Sequence, residues 1–82
     1  MVTKVKEKIK LSQMHKGESG IIDSFTNDEM KLKLMEMGCL PGEKISISSH
    51  APFGCPVAIK LSGYTLSLRM EEAENVIVTR TK

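Results

Sequence analysis

The chain has 82 residues, enough for one small domain in which folding removes about 60–65% of the unfolded surface from water. Apolar residues make up 40% of it and are spread throughout, which excludes a wholly disordered chain; no Trp, one Tyr and two Phe leave few stacking platforms for single-stranded nucleic acid. Twelve basic and ten acidic residues, interspersed to a net +2, make too weak a field for nucleic acid or an acidic membrane surface.

Taken in order, the first ten residues alternate charged and aliphatic side chains, so no signal-peptide core is present, and no run approaches the roughly 18 apolar residues of a membrane span. The expected location is the cytoplasm, at the membrane only through a partner, with both cysteines reduced. Lys4, Lys6, Lys8 and Lys10, interrupted by Glu7, read as a solvated tail or a lysine-guarded edge strand, with residues 1–7 expected to be flexible or at an edge. Residues 8–11 suggest a short strand carrying Ile9 and Leu11 on one face. Ser12 to Gly20 is polar, with Gly17 and Gly20 marking turns, and residues 20–25 form an apolar run leading into a helix.

That helix, expected over about 27–37, has the clearest punctuation in the chain. Thr26 is placed as N-cap with Glu29 completing a capping box, and Phe25 and Met30 as a hydrophobic staple. Asp28 and Glu29 suit the positive end of the helix dipole. Gly38 supplies a left-handed stop, and Pro41 forbids continuation. Residues 44–49 alternate as a half-buried strand with Ile45 and Ile47 inward, and residues 50–56 read as a loop. Residues 57–69 form a hairpin turning at Ser62-Gly63, residues 70–74 an acidic helical turn, and residues 76–79 a closing strand. Five or six short strands with one substantial helix predict a mainly β fold, a small barrel with its interior filled by Ile, Leu, Val and Met and no room for a cofactor.

No catalytic constellation is present. His15 and His50 have no nucleophile–base pattern around them, no phosphate-binding glycine loop occurs, and no enzyme activity is expected. Cys39, His50 and Cys55 are the candidate metal ligands, a set suited to ferrous iron or zinc held weakly, although the C-x-x-C and H-x-x-x-H spacings of preformed sites are missing. Glu71, Glu72 and Glu74 are the hard-metal alternative, against the reading of a solvated acidic turn. On the helix, Met30, Leu34 and Met37 share the core-facing stripe. Leu32 and Met35 fall roughly opposite, either covered by the N-terminal segment or exposed as an adaptable binding patch.

The run Leu34-Met35-Glu36-Met37-Gly38-Cys39-Leu40-Pro41-Gly42 resembles the signature of the ferrous iron transport protein A (FeoA) family. The flanks are also similar: Leu11 to Met14 with Gly17-Glu18, Ala51 to Pro56 followed by Val57 and Ile59, and Leu66 to Arg69 with Glu72-Ala73 and Ile77-Val78. The resemblance implies an SH3-like β-barrel with an inserted helix. It also implies a cytosolic accessory that regulates the ferrous iron transporter (FeoB) by contact, at its GTP-binding region or its membrane part, with no catalytic residues. The same fold in metal-dependent repressors implies the alternative of a metal-sensing module. The surface expected to meet the partner is Leu32, Met35, Cys39 and Leu40; self-association is left open by the sequence.

Overall fold

The computed structural model describes residues 6–50 and 56–81. Six strands form one antiparallel sheet: β1 (Lys6–Lys10), β2 (Ser19–Phe25), β3 (Lys44–His50), β4 (Val57–Leu61), β5 (Tyr64–Leu68) and β6 (Val76–Thr81), in the spatial order β1-β6-β2-β3-β4-β5. Two helices are inserted, α1 (Asp28–Glu36) between β2 and β3 and α2 (Met70–Ala73) between β5 and β6. The period-2 alternation puts Ile22, Ile45, Ile47, Val57, Ile59, Leu61, Leu68, Val76 and Val78 into one buried cluster, with Ile9 and Leu66 packed against it. All six strands therefore contribute to a single core. A flat sheet could not do this, and the sheet curls into the small SH3-like barrel that the strand pattern predicts. Among the methionines of the described residues only Met14 joins the fully buried core, while Met30, Met37 and Met70 pack at its margin.

β1 forms one edge of the sheet and pairs with β6, with Lys8 opposite Thr79 and Lys10 opposite Ile77. Leu11, expected at the end of that strand, instead begins a 3-10 turn over Leu11–Gln13, where the Gln13 Oε1 accepts a hydrogen bond from the Lys10 amide. This turn drives Leu11 and Met14 into the core. Gly20, read as a turn residue, lies inside β2 opposite Ile45. A side chain there would meet Val78 Cγ1 at 2.5 Å and the Thr79 carbonyl oxygen at 2.7 Å, so the glycine serves the close approach of β2 and β6. Arg80 clamps this region by pairing with Glu7 of β1 and, at 2.7 Å, with Glu18 ahead of β2.

The N-terminal cap of α1 is one residue later than expected. Asn27, extended at φ −140°, accepts hydrogen bonds at its Oδ1 from the amides of Glu29 and Met30. The Thr26 hydroxyl is occupied elsewhere, donating to the Asn75 Oδ1 at 2.7 Å. Phe25 and Met30 thus do not hold staple positions, although both pack against the core.

Candidate partner-binding site

The C-terminal end of α1 sets the geometry of the candidate site. Gly38, at φ +106°, reverses the chain; its amide donates to the Met35 carbonyl at 3.1 Å and the Cys39 amide donates to the Leu34 carbonyl at 2.9 Å. This pair of bonds is the Schellman motif, and its usual apolar contact is supplied by Leu34 and Cys39, both fully buried. The chain then turns again at Leu40-Pro41-Gly42-Glu43, closed by a Glu43 amide to Leu40 carbonyl bond of 3.1 Å, with Pro41 and Gly42 in the order of a type II turn. Tyr64, at the start of β5, lies over this exit, its hydroxyl 3.5 Å from the Gly38 carbonyl oxygen. The double turn holds Leu40 outward beside a helix whose outer face carries Leu32.

Leu34 is fully buried, Met30 and Met37 half-buried, and Leu32 is 68% exposed. Met35 is half-buried at the edge of the helix and Leu40 is 41% exposed. Large exposed apolar side chains among the described residues are Ile21, Leu32, Leu40 and Tyr64. Three of these four belong to α1, its exit turn or the residue lying on that turn. Isolated exposed apolar residues are ordinary, so it is their shared place around the helix exit that makes these three the candidate site.

Cys39 does not belong to that surface. It is fully buried as the apolar contact of the helix stop, so its inclusion in the patch is corrected. Burial, and secondarily the nearby Glu72 carboxylate, pushes its thiol up to about 11. A metal needs the thiolate and an open approach, and this residue offers neither. His50 is half-buried at the end of β3, with Nε2 3.0 Å from the Met14 carbonyl oxygen, and Cys55 lies outside the described residues. The structure does not bring Cys39 and His50 into a ligand set, and no group of three His, Cys, Asp or Glu side chains occurs among the described residues. As placed, Cys39 does not fit a bound transition metal. Cys39 should accordingly resist thiol reagents: at pH 8 a thiol titrating near 11 is about one-thousandth ionised. In a Cys55→Ser variant, native protein should react with a disulfide reagent only as fast as it opens, and immediately in denaturant.

Glu72 has a structural role that neither the hard-metal nor the solvated-turn reading of the sequence assigns to it. Within the acidic turn it is 5% exposed while Glu71 and Glu74 face solvent. Its Oε1 accepts from the Arg69 amide at 2.8 Å, which caps α2, and its Oε2 pairs with Lys33 of α1 at 3.0 Å. It ties the two helices together, which removes the hard-metal alternative. The spacing of Arg69 and Glu72 carried half of a capping box, the available signal. The Arg69 amide bond chiefly, and Lys33 next, lower its carboxyl pKa. A carboxylate depressed on folding contributes stability that is present above its unfolded value, about 4.3, and lost as pH falls through the folded value. Glu72→Gln should lower stability at pH 7 by about 1 kcal/mol and flatten the acid decline below about pH 4.5, measured by thermal melts across pH 3–7.

A curled six-stranded antiparallel sheet with an inserted helix defines a domain of the SH3-like class. The FeoA domain model matches residues 9–80, and the chain belongs to that family. The "Fe(2+) transport protein A/Fe(2+) transporter FeoB fusion protein" of Porphyromonas gingivalis is 30% identical over 71 residues, 85% of this chain and 8% of that protein. The chain thus spans about 8% of the length of the curated relative it matches. Among solved structures, an FeoA-like protein from Clostridium acetobutylicum superposes with TM-score 0.77 at 35% identity, over 94% of this chain and 87% of that one. Stenotrophomonas maltophilia FeoA, solved in complex with zinc, gives 0.70 at 27% identity over 85% and 88%. A manganese-dependent transcriptional repressor gives 0.80 at 13% identity over 93% and 43%, a likeness of fold alone.

Proposed function

We propose that this chain is an accessory of ferrous iron uptake that regulates the GTP-binding iron transporter by direct contact. The observation that carries the reading is the Porphyromonas gingivalis fusion, in which a relative of this chain is part of the same polypeptide as a transporter of the FeoB type. Fusion raises the effective concentration of two modules for each other, and it is useful where separate chains would have to meet. In this reading Leu32, Met35 and Leu40 form the apolar centre of the contact, held by the Gly38 stop and the Pro41-Gly42 turn. No helix of the described residues is long and apolar enough to cross a membrane.

A second reading is favoured by one observation, the zinc in the Stenotrophomonas maltophilia relative. In that reading this chain is a metal-sensing module whose affinity for its partner changes with ferrous iron or zinc, with His50 and Cys55 as the ligands that remain once Cys39 is set aside. The two are separated by titrating this domain against the transporter's cytosolic GTP-binding region, with nucleotide and ferrous iron each present or absent. Saturable binding without metal supports the contact regulator. Binding that requires iron supports the sensor. No binding under any condition contradicts docking on that region.

A further inference from the structure

A groove of about 460 Å³ is lined by Lys44, Ile45 and Ser46 of β3 and by Lys60, Leu61 and Ser62 at the end of β4. Ser46 pairs directly with Lys60, and extending that antiparallel register sets Ser62 across from Lys44. The inward positions here are Ile45 and Leu61, so all four polar side chains stand on the outer face. They form a square with the two lysines on one diagonal and the two hydroxyls on the other. Neither lysine has an ion-pair partner among the described residues, whereas Lys8, Lys33 and Arg80 are each paired with a carboxylate. Two unpaired ammonium groups on neighbouring strands present a positive face to an incoming anion.

We propose that this groove receives the carboxylates of an acidic peptide segment of a protein partner. A carboxylate seated between Lys44 and Lys60 would gain two charge-assisted bonds and the hydroxyls of Ser46 and Ser62. A free phosphate is the poorer fit. Phosphate sites draw on clustered backbone amides or a helix N-terminus, and the nearby amides of Gly42 and Glu43 are already bonded to the carbonyls of Ile22 and Leu40. The groove also adjoins the apolar patch along the chain twice. Leu40 leads through the Pro41-Gly42 turn to Lys44, and Ser62 leads through Gly63 to Tyr64, whose hydroxyl faces the Gly38 carbonyl. The complementary segment therefore presents acidic side chains next to apolar anchors. This assignment rests on the docking reading for its apolar half; the basic half is tested by itself.

The test titrates isotopically labelled domain with a capped hexaglutamate peptide and, separately, with inorganic phosphate, following amide shifts at low salt. Saturable shifts at residues 44–46 and 60–62 with the peptide, and at least tenfold weaker binding in Lys44→Glu/Lys60→Glu but not in Lys16→Glu, are expected. No localised shift, equal response to phosphate at matched concentration, or undiminished binding by the double variant would overturn the proposal. Peptide binding at the groove together with no transporter binding would support the groove and refute only the docking on that transporter region.

Discussion

Gly20→Ala is expected to lower the melting temperature by about 12–24 °C while Gly17→Ala lowers it by about 4–8 °C. At Gly20 the new Cβ would lie 2.5 Å from Val78 Cγ1 and 2.7 Å from the Thr79 carbonyl oxygen, so strand β6 backbone, and not merely a side-chain tip, has to retreat. Overpacking of this kind costs about 3 kcal/mol. An 82-residue domain has roughly 4–12 kcal/mol in all. Each kilocalorie shifts the midpoint of so small a domain by about 4–8 °C. At Gly17 nothing lies within 4 Å of the added carbon, and only the strain of φ +90° remains, about 1 kcal/mol. Thermal melts of the two variants decide the matter. A Gly20→Ala protein melting within about 3 °C of the parent would show that β2 and β6 do not approach as described.

Leu32→Lys is expected to weaken association with the transporter by about thirtyfold without changing the fold. The side chain is 68% exposed, so the folded domain loses little packing, and Lys supports a helix nearly as well as Leu. At the desolvated centre of an interface the same change loses about 2 kcal/mol, which is about thirtyfold in affinity. Adding Met35→Lys should bring binding below detection, with some loss of stability because Met35 is half-buried. Calorimetric titration beside circular dichroism separates the two effects. Full affinity in a folded Leu32→Lys variant would remove the helix face from the site.

The fold was legible because local signals agreed. The alternation of Ile45 and Ile47, the Ser62-Gly63 turn between Leu61 and Tyr64, and the Gly38 stop all matched what their neighbours required. Where sequence reading failed, a distant contact decided. Thr26 is a sound N-cap by type, but Asn75, 49 residues away, takes its hydroxyl and Asn27 caps instead. Gly20 resembles a turn residue until β6 is laid against it. The site was half legible. The helical period separated Leu32 from Leu34 correctly, yet Cys39 was placed outside because its burial comes from the Schellman contact with Leu34, and Glu72 was read as solvated because Lys33 approaches it only after both helices dock on the barrel. The Lys44–Ser46–Lys60–Ser62 square depends on strand register, which no single segment of sequence reveals.

Docking of the α1 exit on the iron transporter can be read residue by residue from amide shifts in the labelled domain on addition of the transporter's cytosolic GTP-binding region. Docking as described predicts shifts concentrated at residues 31–43 and at Tyr64, with β1 and the outer end of β6 unaffected. Shifts confined to β1 and β6, with α1 and its exit turn unchanged, would contradict it.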